Sequence, residues 1–142
     1  MAESVNGRIL VAEDNKVLGD VLRFNLERSG FHVTLARTGD AAAKLLAGES
    51  YDLMFTDIEM PGMNGVDLCR YLRFELGNSD LPVAICSARG LEVDEQEMRT
   101  KYGVSEIIFK PFSMRELVAL ASRLLNSSAA TEKQPLDAST AE

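Results

Sequence analysis

No apolar stretch in this chain approaches the roughly 18 residues that a membrane helix requires, which argues against a spanning segment. The first residues, Met1 to Asn6, also lack the basic-then-apolar layout of a secretory signal. Basic residues are few: 15 Lys and Arg stand against 22 Asp and Glu, a formal charge of −7. That sign disfavours nonspecific contact with nucleic acid or anionic membrane, so neither is expected as a direct partner. Cysteine is scarce as well. Cys69 lies in a helix-type segment and Cys86 in a strand-type one, and both read as small hydrophobes rather than as a disulfide or metal pair. Such usage suits a reducing compartment, so a cytoplasmic location is expected. The one histidine, His32, reads as a surface residue of an edge strand.

What is present is a 142-residue chain that is 46% apolar and 26% charged, enough for one domain with one real core. Short β-type runs alternate with longer helical patterns, which predicts βαβ units and a parallel sheet in an α/β fold. The expected strands cover about residues 8–13, 31–36, 52–56, 83–87 and 106–109. The second alternates apolar and polar residues and should lie at an edge. The first helix is expected from Lys16 to Arg28, with Val17, Leu18, Val21, Leu22 and Leu26 on one face. Asp14 or Asn15 can cap its start and Gly30 its end. Further helices follow near Asp40 to Ala47, after the Met60–Gly65 breaker loop, from Glu92 to Tyr102, and from Ser113 to Leu125. Ser113 and Glu116 predict a capping box at the last of these. Residues 1–7 read as an extension and 8–125 as the domain. Residues 126–142 hold little apolar surface to offset ordering, which predicts a disordered tail or linker stub.

Four polar positions each close an apolar run: Glu13-Asp14, Asp57, Ser87 and Lys110. In a parallel sheet the carboxyl ends of neighbouring strands meet in one crevice. Three acids would gather there with one ammonium, and two carboxylates about 4 Å apart repel by roughly 4 kcal/mol at an effective dielectric near 20. Such a cluster must raise a pKa or take up a cation. All-oxygen ligands point to a hard ion, and Mg²⁺ needs only one or two carboxylates when phosphate oxygens complete its shell. A carboxylate can itself be the nucleophile in phosphoryl transfer. Asp57 is the candidate, because it closes the third strand and precedes a Pro/Gly loop that leaves it accessible. Asp14 is expected to ligate the metal directly and Glu13 to help through water or orientation. Ser87 and Lys110 would hold the phosphoryl oxygens from the other side. Taken singly each residue has a bland reading: a helix cap, a turn acid, a loop hydroxyl, a solvated lysine. Their placement at the same edge of successive units favours the joint reading. The Met60/Met63 pair reads as loop packing.

Over about residues 8–125 the pattern resembles the receiver domains of bacterial two-component response regulators, the chemotaxis regulator among them. The resemblance rests on Glu13-Asp14, on Asp57-x-x-Met60-Pro61-x-x-x-Gly65, on Ser87-Ala88 and on Lys110-Pro111-Phe112, in that order. It implies a doubly wound, flavodoxin-like fold with a five-stranded parallel sheet in order 2-1-3-4-5 and five helices. It also implies that Asp57 accepts a phosphoryl group from a histidine kinase or histidine phosphotransfer protein. Mg²⁺ would sit on Asp14, Asp57 and the backbone carbonyl of Glu59, with Glu13 acting through water. The bond before Pro111 is expected to be cis. The chain would be a signalling phosphoacceptor rather than an enzyme acting on other substrates. Its output surface, helix four, strand five and helix five, would bind a downstream protein or domain, or a second copy of the chain.

One position departs from the family. An aromatic residue commonly stands three places before the lysine, and here that place holds Ile107. The expectation is that activation relies on displacement of the loop and helix four instead. Glu59 and Arg89 flank the pocket where the family tunes loss of the phosphoryl group to water, and their opposite charges could pair across its mouth. Alternatives are a receiver excised from a longer hybrid kinase or output-domain regulator and, remotely, a Mg²⁺-dependent phosphohydrolase with Glu59 as acid/base.

Overall fold

The structure, a computed structural model, describes residues 7–137 apart from 89–93, with side chains described as far as Asn126. Arg89, Glu92 and residues 1–6 therefore lie outside the described residues. Five strands, β1 (Arg8–Ala12), β2 (His32–Ala36), β3 (Leu53–Asp57), β4 (Val83–Ala88) and β5 (Glu106–Lys110), form one sheet in the order β2-β1-β3-β4-β5. Every neighbouring pair is parallel. The helices are α1 (Lys16–Arg28), α2 (Gly39–Gly48), α3 (Gly65–Arg70), α4 (Glu95–Tyr102) and α5 (Met114–Asp137). A π-helical turn, Tyr71–Glu75, continues α3.

Strand alternation explains the two cores. Leu10, Met54, Val83 and Ile85 point to one face, where α2, α3 and α4 cover them with Ala42, Leu46, Leu68, Leu72, Met98 and Tyr102. Ile9, Val11, Phe55, Ala84 and Cys86 point to the other, against Leu22 and Leu26 of α1 and Leu117, Leu120 and Ala121 of α5. Central strands buried on both faces read as continuous apolar runs. β2, at the edge, alternates and leaves His32 exposed. Cys69 and Cys86 are buried, unbridged and in opposite cores.

Local signals set several boundaries. Asn15 caps α1 by accepting from the Leu18 N–H at 2.9 Å, and Gly30 follows its end with φ 98°. Ser113 and Glu116 exchange bonds of 3.0 and 3.1 Å at the start of α5. One expectation needs correction. Leu22 and Leu26 of α1 are buried, but Val17 is 72% and Val21 38% exposed. At 3.6 residues per turn, Val17 lies about 160° and Val21 about 120° round the helix from the Leu22–Leu26 stripe, where they join the 59% exposed Phe24. The last helix, α5, runs from Met114 to Asp137.

No helix among the described residues is long and apolar enough to cross a membrane.

Candidate functional site

Parallel register places the polar strand ends side by side. Ala12 pairs with Thr56, Asp57 with Cys86, and Ala88 with Lys110. One residue past Ala12, Glu13 therefore stands beside Asp57. Glu13, Asp14 and Asp57 each offer a carboxylate oxygen, all lying within 4.8 Å of one another. From β5, Lys110 brings its Nζ to 3.3 Å from Asp57 Oδ2. The Lys110–Pro111 bond is cis.

Burial makes this cluster electrostatically demanding. Glu13 is 1% and Asp57 4% exposed, whereas Asp14 is open to solvent. Asn15 donates its backbone N–H to Glu13 Oε2 at 3.0 Å, but the buried Oε1 has no partner among the described residues. Burial raises the Glu13 carboxyl above its ordinary value, and neighbouring Asp57 and Asp14 add to the rise against the Asn15 bond and Lys110. Burial likewise raises Asp57, with Lys110 opposing and Asp14 and Glu59 reinforcing. For Lys110, burial lowers the pKa, but the charges of Asp57 and Glu13 outweigh it and the net direction is up. Among the described residues, one ammonium stands against three acids, a net anionic set. Hard oxygen donors with an orphaned buried oxygen among them suit a divalent cation such as Mg²⁺.

The remaining candidates fall around this centre. Ser87 is wholly buried and its hydroxyl donates to the Ala88 carbonyl at 3.3 Å, so it is engaged along its own strand rather than with Asp57. Ala88 ends β4. Glu59 is exposed on the loop after Asp57 and contributes to its negative surroundings. Ile107 is half-buried and packs on the core that holds Tyr102 and Met98. Pro111 is exposed beside Lys110. Met60 is 7% exposed in that same core, as loop packing requires.

The loop after Asp57 is held by residues whose roles are less visible in the chain. The Gly65 N–H donates to the Ile58 carbonyl at 2.9 Å. A Cβ on Gly65 would lie 2.5 Å from the Asp57 carbonyl oxygen, so only glycine lets α3 start so close to the site. Thr56 Oγ1 donates to that same carbonyl at 3.0 Å. Asn64 and Asp67 form a capping box on α3, and the Asn64-x-x-Asp67 spacing signals it. Gly39 touches the Met63 backbone so closely that any Cβ would overlap its carbonyl oxygen; no local pattern announces that contact.

The family model for the response regulator receiver domain matches residues 9–122. A curated relative, "Probable transcriptional regulatory protein" of Picosynechococcus sp., is 37% identical over 129 residues, covering 86% of this chain and 50% of its own. The chain thus spans about half the length of that relative. Among solved structures, the receiver domain of Francisella response regulator 1452 is 29% identical, with a TM-score of 0.75 over 86% of this chain and 98% of that one. The receiver domain of a sensor histidine kinase from Pseudomonas aeruginosa PAO1 is 27% identical, with a TM-score of 0.75 over 84% and 98%. That neighbour carries a magnesium ion coordinated in its active site cleft.

Proposed function

The chain belongs to the response regulator receiver domain family, and from that premise we propose that it is a phosphorylation-dependent switch with Asp57 as phosphoacceptor. The observation that carries this reading is the buried carboxylate of Asp57, 3.3 Å from one ammonium and within 4.8 Å of two further acids. The carboxylates of Asp14 and Asp57 and the Glu59 carbonyl would hold Mg²⁺, with Glu13 acting through water. When bound, the ion would neutralise charge on the transferring phosphoryl group.

This chain's own residues do the rest. A carboxylate oxygen of Asp57 forms the new O–P bond while the donor histidine's N–P bond breaks, and the imidazole, already protonated on its other ring nitrogen, leaves neutral with the electron pair of the broken bond. Lys110 favours the ionised form of Asp57 against the effect of burial and pairs with the phosphoryl oxygens afterwards. The Ser87 hydroxyl exchanges its bond to Ala88 for a phosphoryl oxygen, drawing the end of β4 inward. The extra charge of about −1.5 to −2 biases a two-state element, here the α4–β5–α5 surface that meets a downstream protein, an output domain or a second copy.

The donor is a histidine kinase or histidine phosphotransfer protein in the cytoplasm. The exposed stripe of Val17, Val21 and Phe24 on α1, a helix that opens two residues past Asp14, suits contact with it. Lys16 and Arg23 stand beside that stripe, both in ion-pair range of Asp20 at 3.1 and 4.0 Å. In a longer protein the same chemistry would drive an attached output domain. Exposed Glu59 remains the residue positioned to tune hydrolysis.

The test is phosphotransfer from a panel of purified, autophosphorylated histidine kinases. At least one should label the parent chain and none should label Asp57→Asn. Equal labelling of both would overturn the assignment of Asp57.

A further inference from the structure

β5 carries Ile107 where an aromatic would stand, yet the α3–α4 side of the sheet buries a different one. Tyr102, the last residue of α4, is 2% exposed and belongs to the cluster that includes Ile85, Met98 and half-buried Ile107. Its hydroxyl accepts a hydrogen bond from Arg70 Nη2 at 3.2 Å, and the same guanidinium lies 5.8 Å from the ring centroid. Arg73 donates to the Tyr102 carbonyl at 2.7 Å and the Gly103 carbonyl at 3.1 Å. It thereby caps the carboxyl end of α4, where a cation also meets the helix dipole favourably. The end of α4 is gripped by arginines of the α3 segment.

Those arginines lead back to the site. Arg70 Nη1 donates to Asp67 Oδ1 at 3.1 Å. Asp67 is tied to Asn64 by reciprocal bonds of 2.8 and 3.2 Å at the first turn of α3. Gly65, between them, rests on the backbone of Asp57 and Ile58 with no room for a methyl group. A continuous set of contacts thus runs from the backbone of Asp57 through α3 to the hydroxyl of Tyr102, separate from the Ser87–Lys110 side.

We propose that α3 is a lever between Asp57 and α4, with Arg70 and Tyr102 as its positioning residues. The Arg70–Tyr102 link holds α4 in the unphosphorylated arrangement and is released when the Asp57–Gly65 contact shifts. This rests on Asp57 being the phosphoacceptor. Coupling between two sites is reciprocal, so weakening the link must tighten binding of a phosphoryl mimic at Asp57.

The experiment is calorimetric titration of the whole chain with beryllofluoride and Mg²⁺. It compares the parent with Tyr102→Phe, Arg70→Ala and a control, Arg99→Ala, with circular dichroism confirming each fold. Arg99 also lies on α4 but donates to Ser105, not to α3. Tyr102→Phe and Arg70→Ala should bind about three- to tenfold more tightly, the scale of one hydrogen bond, and Arg99→Ala should match the parent. Unchanged or weaker binding in the first two, with the parent binding normally, would overturn the lever alone. The same gain in Arg99→Ala would overturn it too, by showing that any loosening of α4 suffices. A parent that bound no beryllofluoride would remove the phosphoacceptor reading, and the lever with it.

Discussion

Acids stand at both ends of this sheet, in contrasting surroundings. At the amino ends, Asp52 Oδ2 accepts the Arg8 backbone N–H at 2.8 Å, and Glu49 Oε1 accepts Arg8 Nη2 at 2.9 Å. Both are exposed and have partners. At the carboxyl ends, Glu13 and Asp57 are buried and, among the described residues, share one lysine and leave an oxygen of Glu13 orphaned. The first arrangement helps the fold modestly; the second works against it. Groups kept where they destabilise a fold are expected at functional sites, so the dissatisfaction of an acid, rather than its presence, separates the working end of the sheet from the other.

The largest expected effect is on phosphoryl acceptance. Asp57→Asn should lose it entirely while keeping its circular dichroism spectrum, whereas Asp52→Asn should phosphorylate like the parent. Next is Gly65→Ala. Its methyl group would meet backbone at 2.5 Å, and such overpacking costs about 1–3 kcal/mol, measurable as a lower urea midpoint with slower phosphorylation. Third, without metal, Asp57→Asn should melt a few degrees above the parent, the scale of about 1 kcal/mol in a domain of this size. Saturating Mg²⁺ should raise the parent's Tm and leave Asp57→Asn nearly unmoved. Equal responses would erase the difference between the two ends.

A pH series sharpens the contrast. Burial raises Asp57 and Glu13 above their unfolded values. Between the unfolded and folded pKa values the folded state binds more protons, so these groups favour folding as pH falls through that window and disfavour it as pH rises. Metal-free melts descending from neutral pH should show this gain, and it should shrink in Asp57→Asn. Smallest of all, Glu49→Gln removes an exposed ion pair and should change stability by less than about 1 kcal/mol.

Much of this was readable in the chain. Four apolar runs ending in Glu13-Asp14, Asp57, Ser87 and Lys110 marked both the strands and the crevice, because strand period and strand end are local properties. Asn15 and the Ser113–Glu116 pair marked helix starts for the same reason. The outward stripe of Val17 and Val21 is not legible in the chain, since valine reads as core whichever way its helix turns. Gly39 against Met63, and Arg70 and Arg73 against the end of α4, were invisible because each depends on how two remote segments pack.

The most direct test is intact-mass analysis after incubation with a small-molecule phosphodonor such as acetyl phosphate, with and without Mg²⁺. The parent should gain the mass of one phosphoryl group, mapped to Asp57 and dependent on Mg²⁺. No gain with the ion present, or a gain that persists in Asp57→Asn, would contradict the assignment.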